Sequence, residues 1–589
     1  MSRSQQSSRL KKLFPILDWL PQYSKKDAGG DVVAGLTVAI MLVPQGMAYG
    51  LLAGLTPIYG LYASIIPLLL YALMGTSRQL SVGPVAIVSL LVLTGISDFA
   101  QPGTAEFIAM AITASLLAGL IQLALGVMRL GFLVNFLSHP VLAGFTSAAA
   151  IIIALSQVDN MLGIDAPRSN RVLEIVQGIL VNLDQFHWPT FLLGAGGVVV
   201  LAVLRSIHRS IPGALIIVMA GTLLVYFLQL PNVGVAIVGE VPGGLPSFEL
   251  PVFSWQYMEQ LMPISLTICL ISFIESLAIA KALESKHRNY KVVPNQELIA
   301  LGVSKIGGAF FQSFPTTGSF SRSVINDDAG AKTGIASIIT VILIAITLLF
   351  LTPLFYYLPK AILAAIIVFA VRNLIDIEEA KSLWKHDKRD FLTFMVTFSA
   401  TLLFGIQIGV LTGVMLSLSI MLYRNSVPHV AVLGQYPNSS SYRNINRFEE
   451  VRQLEGILIV RFDAQLYFGN CTYFKEAVEK LVDTSESDLK LLILDASSIH
   501  DIDSSGIHTL HEVLDDLQKA GIEIYITSVI GPVRDILAKT GLIEKIGPNN
   551  FFMRIHDAVT FFQTTNDIPL HQQAATQTNV KSSTPPHNE

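Results

Sequence analysis

Residues 60–90, GLYASIIPLLLYALMGTSRQLSVGPVAIVSL, hold two apolar runs divided by a polar break at Gly75-Thr76-Ser77-Arg78-Gln79, and Gly83-Pro84 interrupts the second run almost at its start. Runs of this kind belong in lipid, where each unpaired backbone N–H or C=O costs several kcal/mol, so a membrane helix is normally continuous. The break therefore has to face a protein-lined cavity. A short helix opening at Pro84 would point free N–H groups and its positive dipole end into the membrane interior, an arrangement that suits an anion.

The rest of the chain has the composition of a membrane protein. Of 589 residues, 52% are apolar and 14% charged, with a mean hydropathy of +0.57, against roughly a quarter charged in soluble domains. At about 20 apolar residues per span, candidate spans fall near 31–52, 57–74, 80–97, 105–128, 132–156, 190–206, 211–230, 261–283, 295–312, 315–328, 334–352, 358–374, 388–404 and 406–424, fourteen in all. With the N-terminus inside, the cytoplasmic segments carry Lys25, Lys26, Arg78, Arg129, Arg205, Lys286, Arg288, Lys291, Lys332, Arg372, Lys381 and Arg424. The outer ones have Arg168, Arg171 and Lys360. That bias predicts a multi-pass protein of the plasma membrane with both termini cytoplasmic. Met1–Gly30 is polar and basic, so a cytosolic segment over 1–30 is expected and a cleavable signal peptide is not. A net charge of −4 argues against a nucleic-acid partner. Cys269 and Cys471 lie in settings too different for a disulfide or a metal site.

An internal repeat is written in the spacing of its breaks. From Pro44 to Pro84 is 40 residues, and so is the distance from Glu275 to Pro315. Each half then has a long span, an ordinary span and a short span opened by proline. Seven spans per half is odd, so the two repeats must lie inverted, with half-helices in spans 3 and 10. Paired broken helices near the midplane mark the substrate site in secondary transporters. The transporter domain is expected over 31–424.

After Arg424 the pattern changes. Gly456–Phe462, Lys490–Ala496 and Ile522–Thr527 read as buried strands, and Phe474–Val482 and Ile507–Gln518 as amphipathic helices. They predict a cytosolic α/β domain over 425–565. The Gln-, Thr-, Ser- and Pro-rich tail, 566–589, is expected to be disordered.

Several residues bear chemistry. Apart from Cys269, Glu275 is the only ionisable residue between about Leu261 and Lys281. A charge at the bilayer centre costs roughly 2.5–3.5 kcal/mol on insertion scales. It reads as a protonatable gate; the plainer alternative is a neutral acid bonded to a backbone carbonyl. Pro315-Thr316-Thr317-Gly318-Ser319-Phe320-Ser321-Arg322 is the counterpart of Ser81-Val82-Gly83-Pro84. Ser319, Ser321 and Arg322, with main-chain N–H groups of Val85 and Ala86, form a candidate anion site. Otherwise Arg322 is a topology-setting arginine at a helix end. Gln45 and Tyr49 share one face of the first span and could donate to anion oxygens; bonds to a neighbouring helix are the alternative. Lys305 has no evident partner. His508, His511 and Glu512 share a helix face without forming a metal motif, and the absence of G-x-x-x-x-G-K-[ST] argues against ATP hydrolysis. No enzymatic activity or cofactor is expected, and an ion gradient supplies the energy.

The motifs GLYAS-x-x-P, GTSRQLSVGP-x-A and ESLAIA resemble the SulP family of sulfate permeases, and DASSIHDIDSSG (495–506) resembles the STAS domain at the C-terminus of such transporters. The resemblance implies an inorganic-anion carrier in which Glu275 serves cation coupling, H⁺ in preference to Na⁺, and the serine and arginine of 319–322 line the pocket with residues near Gln45 and Tyr49. It also implies a homodimer. Ser504 lies where the related anti-sigma antagonists are phosphorylated, although Asp503-Ser504 equally forms a helix N-cap pair, and the domain is a candidate site for a cytosolic protein partner. Sulfate is the first substrate, since its tetrahedral oxygens match several converging donors; bicarbonate, chloride and C4-dicarboxylates stay open. Two rivals remain: an anion channel, and a membrane-anchored STAS signalling or scaffold protein.

Overall fold

The computed structural model describes residues 11, 13–132, 138–165, 169, 171–207, 212–485 and 489–566. Residues 1–10 and 12, Arg168, and the tail from residue 567 onward lie outside the described residues. Contacts divide the chain into two compact units, Met1–Ser417 and Leu418–Glu589, with the division inside the last apolar helix.

Among the described residues, every expected span contains a helix. These are α1 (Lys25–Leu52), α2 (Pro57–Met74, interrupted between Tyr62 and Ile66), α3 (Ala86–Ile96), α4 (Ala105–Val127), α5 (His139–Leu155), α6 (Trp188–Ile207), α7 (Gly213–Phe227), α8 (Trp255–His287), α9 (Pro294–Ala309), α10 (Phe320–Asp328), α11 (Ile335–Ile346), α12 (Lys360–Val371), α13 (Lys388–Phe404) and α14 (Ile406–Ser426). Among the described residues, eight stretches are long and apolar enough to cross a bilayer by length and composition alone. The half-helices α3 and α10 are not among them.

The start of α1 is fixed locally by a capping box, in which Ser24 and Asp27 exchange side-chain and backbone bonds. Beyond such caps, packing decides the arrangement. Helices α1–α4 pack with α8–α11, α5 with α12 and α13, and α6 and α7 with α12. Exchanging the two seven-helix halves carries the packed pair α1–α11 onto α8–α4, and α5–α13 onto α12–α6. Backbone contact makes the tightest of these crossings. A Cβ on Gly119 of α4 would sit 2.8 Å from the Gly302 carbonyl of α9, and one on Gly60 would collide with the Gly46 carbonyl. Only small residues let membrane helices approach so closely.

The half-helices begin later than the prolines suggest. Residues Val82–Gly83 (β1) and Thr317–Gly318 (β2) pair antiparallel, Val82 with Gly318 and Gly83 with Thr317. This short ladder satisfies backbone groups that lipid could not, and it holds the chain extended through Val85 and Ser319, which become the N-caps of α3 and α10. Pro84 and Pro315 therefore lie upstream of the helices.

In the second unit, strands β3 (Val430–Gln435), β4 (Tyr442–Asn444), β5 (Ile457–Phe462), β6 (Leu491–Asp495), β7 (Glu523–Thr527) and β8 (Phe551–Phe552) form one sheet in the order β4-β3-β5-β6-β7-β8. Strands β5 to β8 run parallel. Leu458, Val460 and Phe462 pack under α15 (Cys471–Asp483) and α16 (Ser504–Lys519); Ile457 and Ile459 pack under α18 (Ile555–Thr565), which follows α17 (Gly531–Lys539). The hairpin of β3 and β4 was not among the expected strands; β4 lies within the polar stretch that begins near Gln435.

Candidate functional site

The antiparallel bridge of β1 and β2 brings the N-terminal ends of α3 and α10 together. In α3 the first N–H to find a main-chain acceptor belongs to Ser89, bonded to the Val85 carbonyl at 3.0 Å, so the first-turn N–H groups from Ala86 point out of the helix end. In α10, Ser323 N donates to the Ser319 carbonyl at 2.9 Å, and Arg322 N approaches Ser319 Oγ at 3.5 Å.

Arg322 joins the two ends. Its side chain is 1% exposed, and Nη1 donates to the Pro84 carbonyl, just before α3, at 2.9 Å. Pro84 has no N–H to continue the bridge with Thr316, so its region is tied to α10 by the guanidinium instead. Nε and Nη2 of Arg322 have no hydrogen-bond partner, although both are buried. Such orphaned donors are costly in a core and expected at a site that receives an anion. A Cβ on Gly83 would lie 3.2 Å from Nη2, so glycine leaves the guanidinium its room.

Helices α1 and α8 supply the other walls. Leu42 stands near Gly83, and Gln45 and Tyr49, one and two turns further along α1, are both buried. Tyr49, Glu275 and Arg322 lie within electrostatic reach of one another. Glu275 Oε2 is buried without a partner, so the backbone-bonded structural acid is not what this oxygen shows. Val85 and Ala86 are buried at the start of α3, and Ser319 caps α10. Ser321 differs, being exposed and not buried with the others.

The residues that hold this geometry were not evident from sequence. Ser276 Oγ accepts from Gly318 N at 2.8 Å and bonds Thr317 Oγ1 at 2.9 Å, and Thr317 Oγ1 donates to the Ser272 carbonyl at 2.8 Å. Thus α8 grips β2 directly beside Glu275. Ser81 Oγ and Thr316 Oγ1, which flank the bridge at matching positions of the two halves, are buried without partners. The position of Ser276 next to Glu275 was the available signal; the pairing of distant hydroxyls with a backbone turn leaves none.

In the second unit Asp503 caps α16 by accepting from Gly506 N at 2.8 Å, and Ser504 is an exposed first-turn residue. His508 meets Glu512 on the surface, and the described residues hold no group of side chains placed for a metal ion.

Residues 29–397 match the Sulfate permease family and residues 449–558 the STAS domain. The chain is 41% identical over 565 residues to Sulfate transporter 4.1, chloroplastic, of Arabidopsis thaliana, covering 93% of this chain and 82% of that protein. It is 37% identical over 574 residues to High affinity sulfate transporter 2 of Stylosanthes hamata, covering 94% and 87%. Among solved structures, the murine Solute Carrier 26 family member A9 anion transporter in its inward-facing state superposes with a TM-score of 0.88 at 28% identity, over 96% of this chain and 95% of that one. The transmembrane domain of a cyanobacterium bicarbonate transporter, BicA, shares the fold at a TM-score of 0.58 and 22% identity, over 67% of this chain and 98% of that one.

Proposed function

The chain belongs to the sulfate permease family and is an anion transporter, and within that class we propose a secondary active carrier that takes up sulfate with protons across the plasma membrane. The observation that carries this reading is the pair of facing helix N-termini at Val85 and Ser319, spanned by a buried arginine with two unpartnered nitrogens. The relatives named as sulfate transporters support the choice of substrate.

In the proposed cycle, an oxyanion docks between the starts of α3 and α10 and takes N–H groups from both, while Arg322 offsets its charge. Gln45 and Tyr49 close the α1 side. Glu275 accepts a proton, which removes a negative charge beside the loaded site, so that the loaded, neutralised state favours movement of one helix bundle against the other. The family also extends the proposal to a homodimer with both termini cytoplasmic and to a cytosolic protein partner at the STAS unit, with Ser504 as its modifiable residue.

Purified protein in liposomes tests the reading through uptake of radiolabelled sulfate with and without an inward proton gradient. The wild type should respond to the gradient, and Glu275→Gln should lose that response. Absence of sulfate flux under both conditions would refute the substrate; flux indifferent to pH in both proteins would refute the coupling role of Glu275.

A further inference from the structure

A third charged side chain lies in the membrane interior beyond Glu275 and Arg322, and the cycle above leaves it without a task. Lys305, on α9, is 1% exposed, and its Nζ donates to Gln122 Oε1 of α4 at 2.8 Å. Gln122 Nε2 donates in turn to the Cys269 carbonyl and to Ser272 Oγ, both at 2.9 Å on α8. The amide orientation follows from chemistry: the Cys269 carbonyl can only accept, so Nε2 must face it and Oε1 must face the ammonium. Among the described residues, no carboxylate pairs with Lys305; what surrounds it is Gln122, Cys269 and the Ser115 hydroxyl, which donates to its carbonyl.

This chain of bonds ends at the anion site. Ser272 lies one turn before Glu275 on α8, and its carbonyl accepts from Thr317 of β2. We propose that Lys305 sets the charge selectivity of the site, favouring divalent over monovalent oxyanions. The inference deepens the sulfate reading and rests on it. With Glu275 protonated and Lys305 carrying its proton, Arg322 and Lys305 present two positive charges, which a divalent anion neutralises and a monovalent one leaves half-balanced. Across a separation of roughly 12 Å, one unit charge at an effective dielectric near 20 changes the affinity for another about tenfold. A divalent ligand feels that field twice. Loss of the charge should therefore weaken a monovalent anion about tenfold and a divalent one about a hundredfold.

The test is isothermal titration of purified wild type, Lys305→Met and Lys305→Gln with sulfate and with perchlorate, a monovalent oxyanion of the same tetrahedral shape. The methionine removes charge and bonds together, whereas the glutamine keeps a donor for Gln122 and serves where the methionine variant does not fold. The ratio of sulfate to perchlorate affinity should fall about tenfold in either variant. Equal weakening of both anions, with the ratio unchanged, would overturn the proposal and make Lys305 a packing residue. A wild type that binds no sulfate would instead overturn the sulfate reading and, with it, this inference.

Discussion

Replacing Arg322 by methionine separates binding from stability, because the two should move in different directions. The guanidinium is buried with one hydrogen bond, to the Pro84 carbonyl, and two unpartnered nitrogens. A unit charge about 4 Å from an anion, at an effective dielectric near 20, is worth roughly 4 kcal/mol. Removing it should weaken sulfate binding by about a thousandfold or more. The anion-free protein faces the reverse balance. Exchanging a buried, poorly paired charge for an apolar chain of similar length is neutral to stabilising by about 1–4 kcal/mol, less about 1 kcal/mol for the bond lost at Pro84. Thermal unfolding of Arg322→Met in sulfate-free detergent should therefore occur at or above the wild-type temperature. Added sulfate at a hundred times its Kd should stabilise the wild type by about 2.7 kcal/mol and leave the variant unmoved. Sulfate uptake in liposomes should vanish. A variant that unfolds well below the wild type in anion-free buffer, or one that still transports, would refute the reasoning and leave Arg322 a structural tie between α10 and Pro84.

Other perturbations probe the scaffold. Ser276→Ala removes the acceptor of Gly318 N and one of the two partners of Thr317 Oγ1, so it should cost about 1–3 kcal/mol of stability and weaken sulfate binding, read by thermal unfolding and by titration. Gly60→Ala would drive a Cβ into the Gly46 carbonyl and should destabilise the α1–α2 contact by at least about 3 kcal/mol, beyond ordinary overpacking; low yield of monodisperse protein is the readout. In the STAS unit, partial burial at Asp463 works against ionisation, but bonds from Arg461 at 2.5 Å and His429 at 2.8 Å outweigh it and hold the carboxyl below its ordinary range. A lowered folded-state value means that this stabilisation is complete above the unfolded value near pH 4 and fades as pH falls through the folded one. Asp463→Asn should thus cost about 0.5–1 kcal/mol at pH 7 and progressively less as pH falls below about 4, measured by denaturant unfolding across a pH series.

The span count and the inverted layout were legible because both follow from solvent physics: lipid demands apolar runs of fixed length, and an odd number of spans per repeat demands inversion. The strands at 457–462, 491–495 and 523–527 were equally plain, as apolar runs of strand length between turns. The hairpin 430–435 with 442–444 was not, because an edge hairpin takes its pairing from β5 and carries a mixed sequence. At the site, Glu275 stood out as a charge in an apolar run and Arg322 as a charge inside a cluster of hydroxyl residues. Their supports did not. The partnership of Lys305 with Gln122 depends on the Gly119–Gly302 crossing, which joins residues 183 positions apart, and Ser276 matters only through a backbone N–H of β2. The delayed starts of α3 and α10 were likewise hidden, since a two-residue ladder between distant segments has no local pattern.

The central claim is that the substrate oxyanion sits between the helix starts at Val85 and Ser319, against Arg322. A structure of the protein bound to selenate, a heavier tetrahedral analogue of sulfate, tests it most directly. The account predicts a single strong selenium peak within hydrogen-bonding reach of the Ala86 and Ser321 main-chain N–H groups and of Arg322 Nη2, absent in Arg322→Met. Selenate bound elsewhere, with the α3 and α10 termini unoccupied, would contradict it.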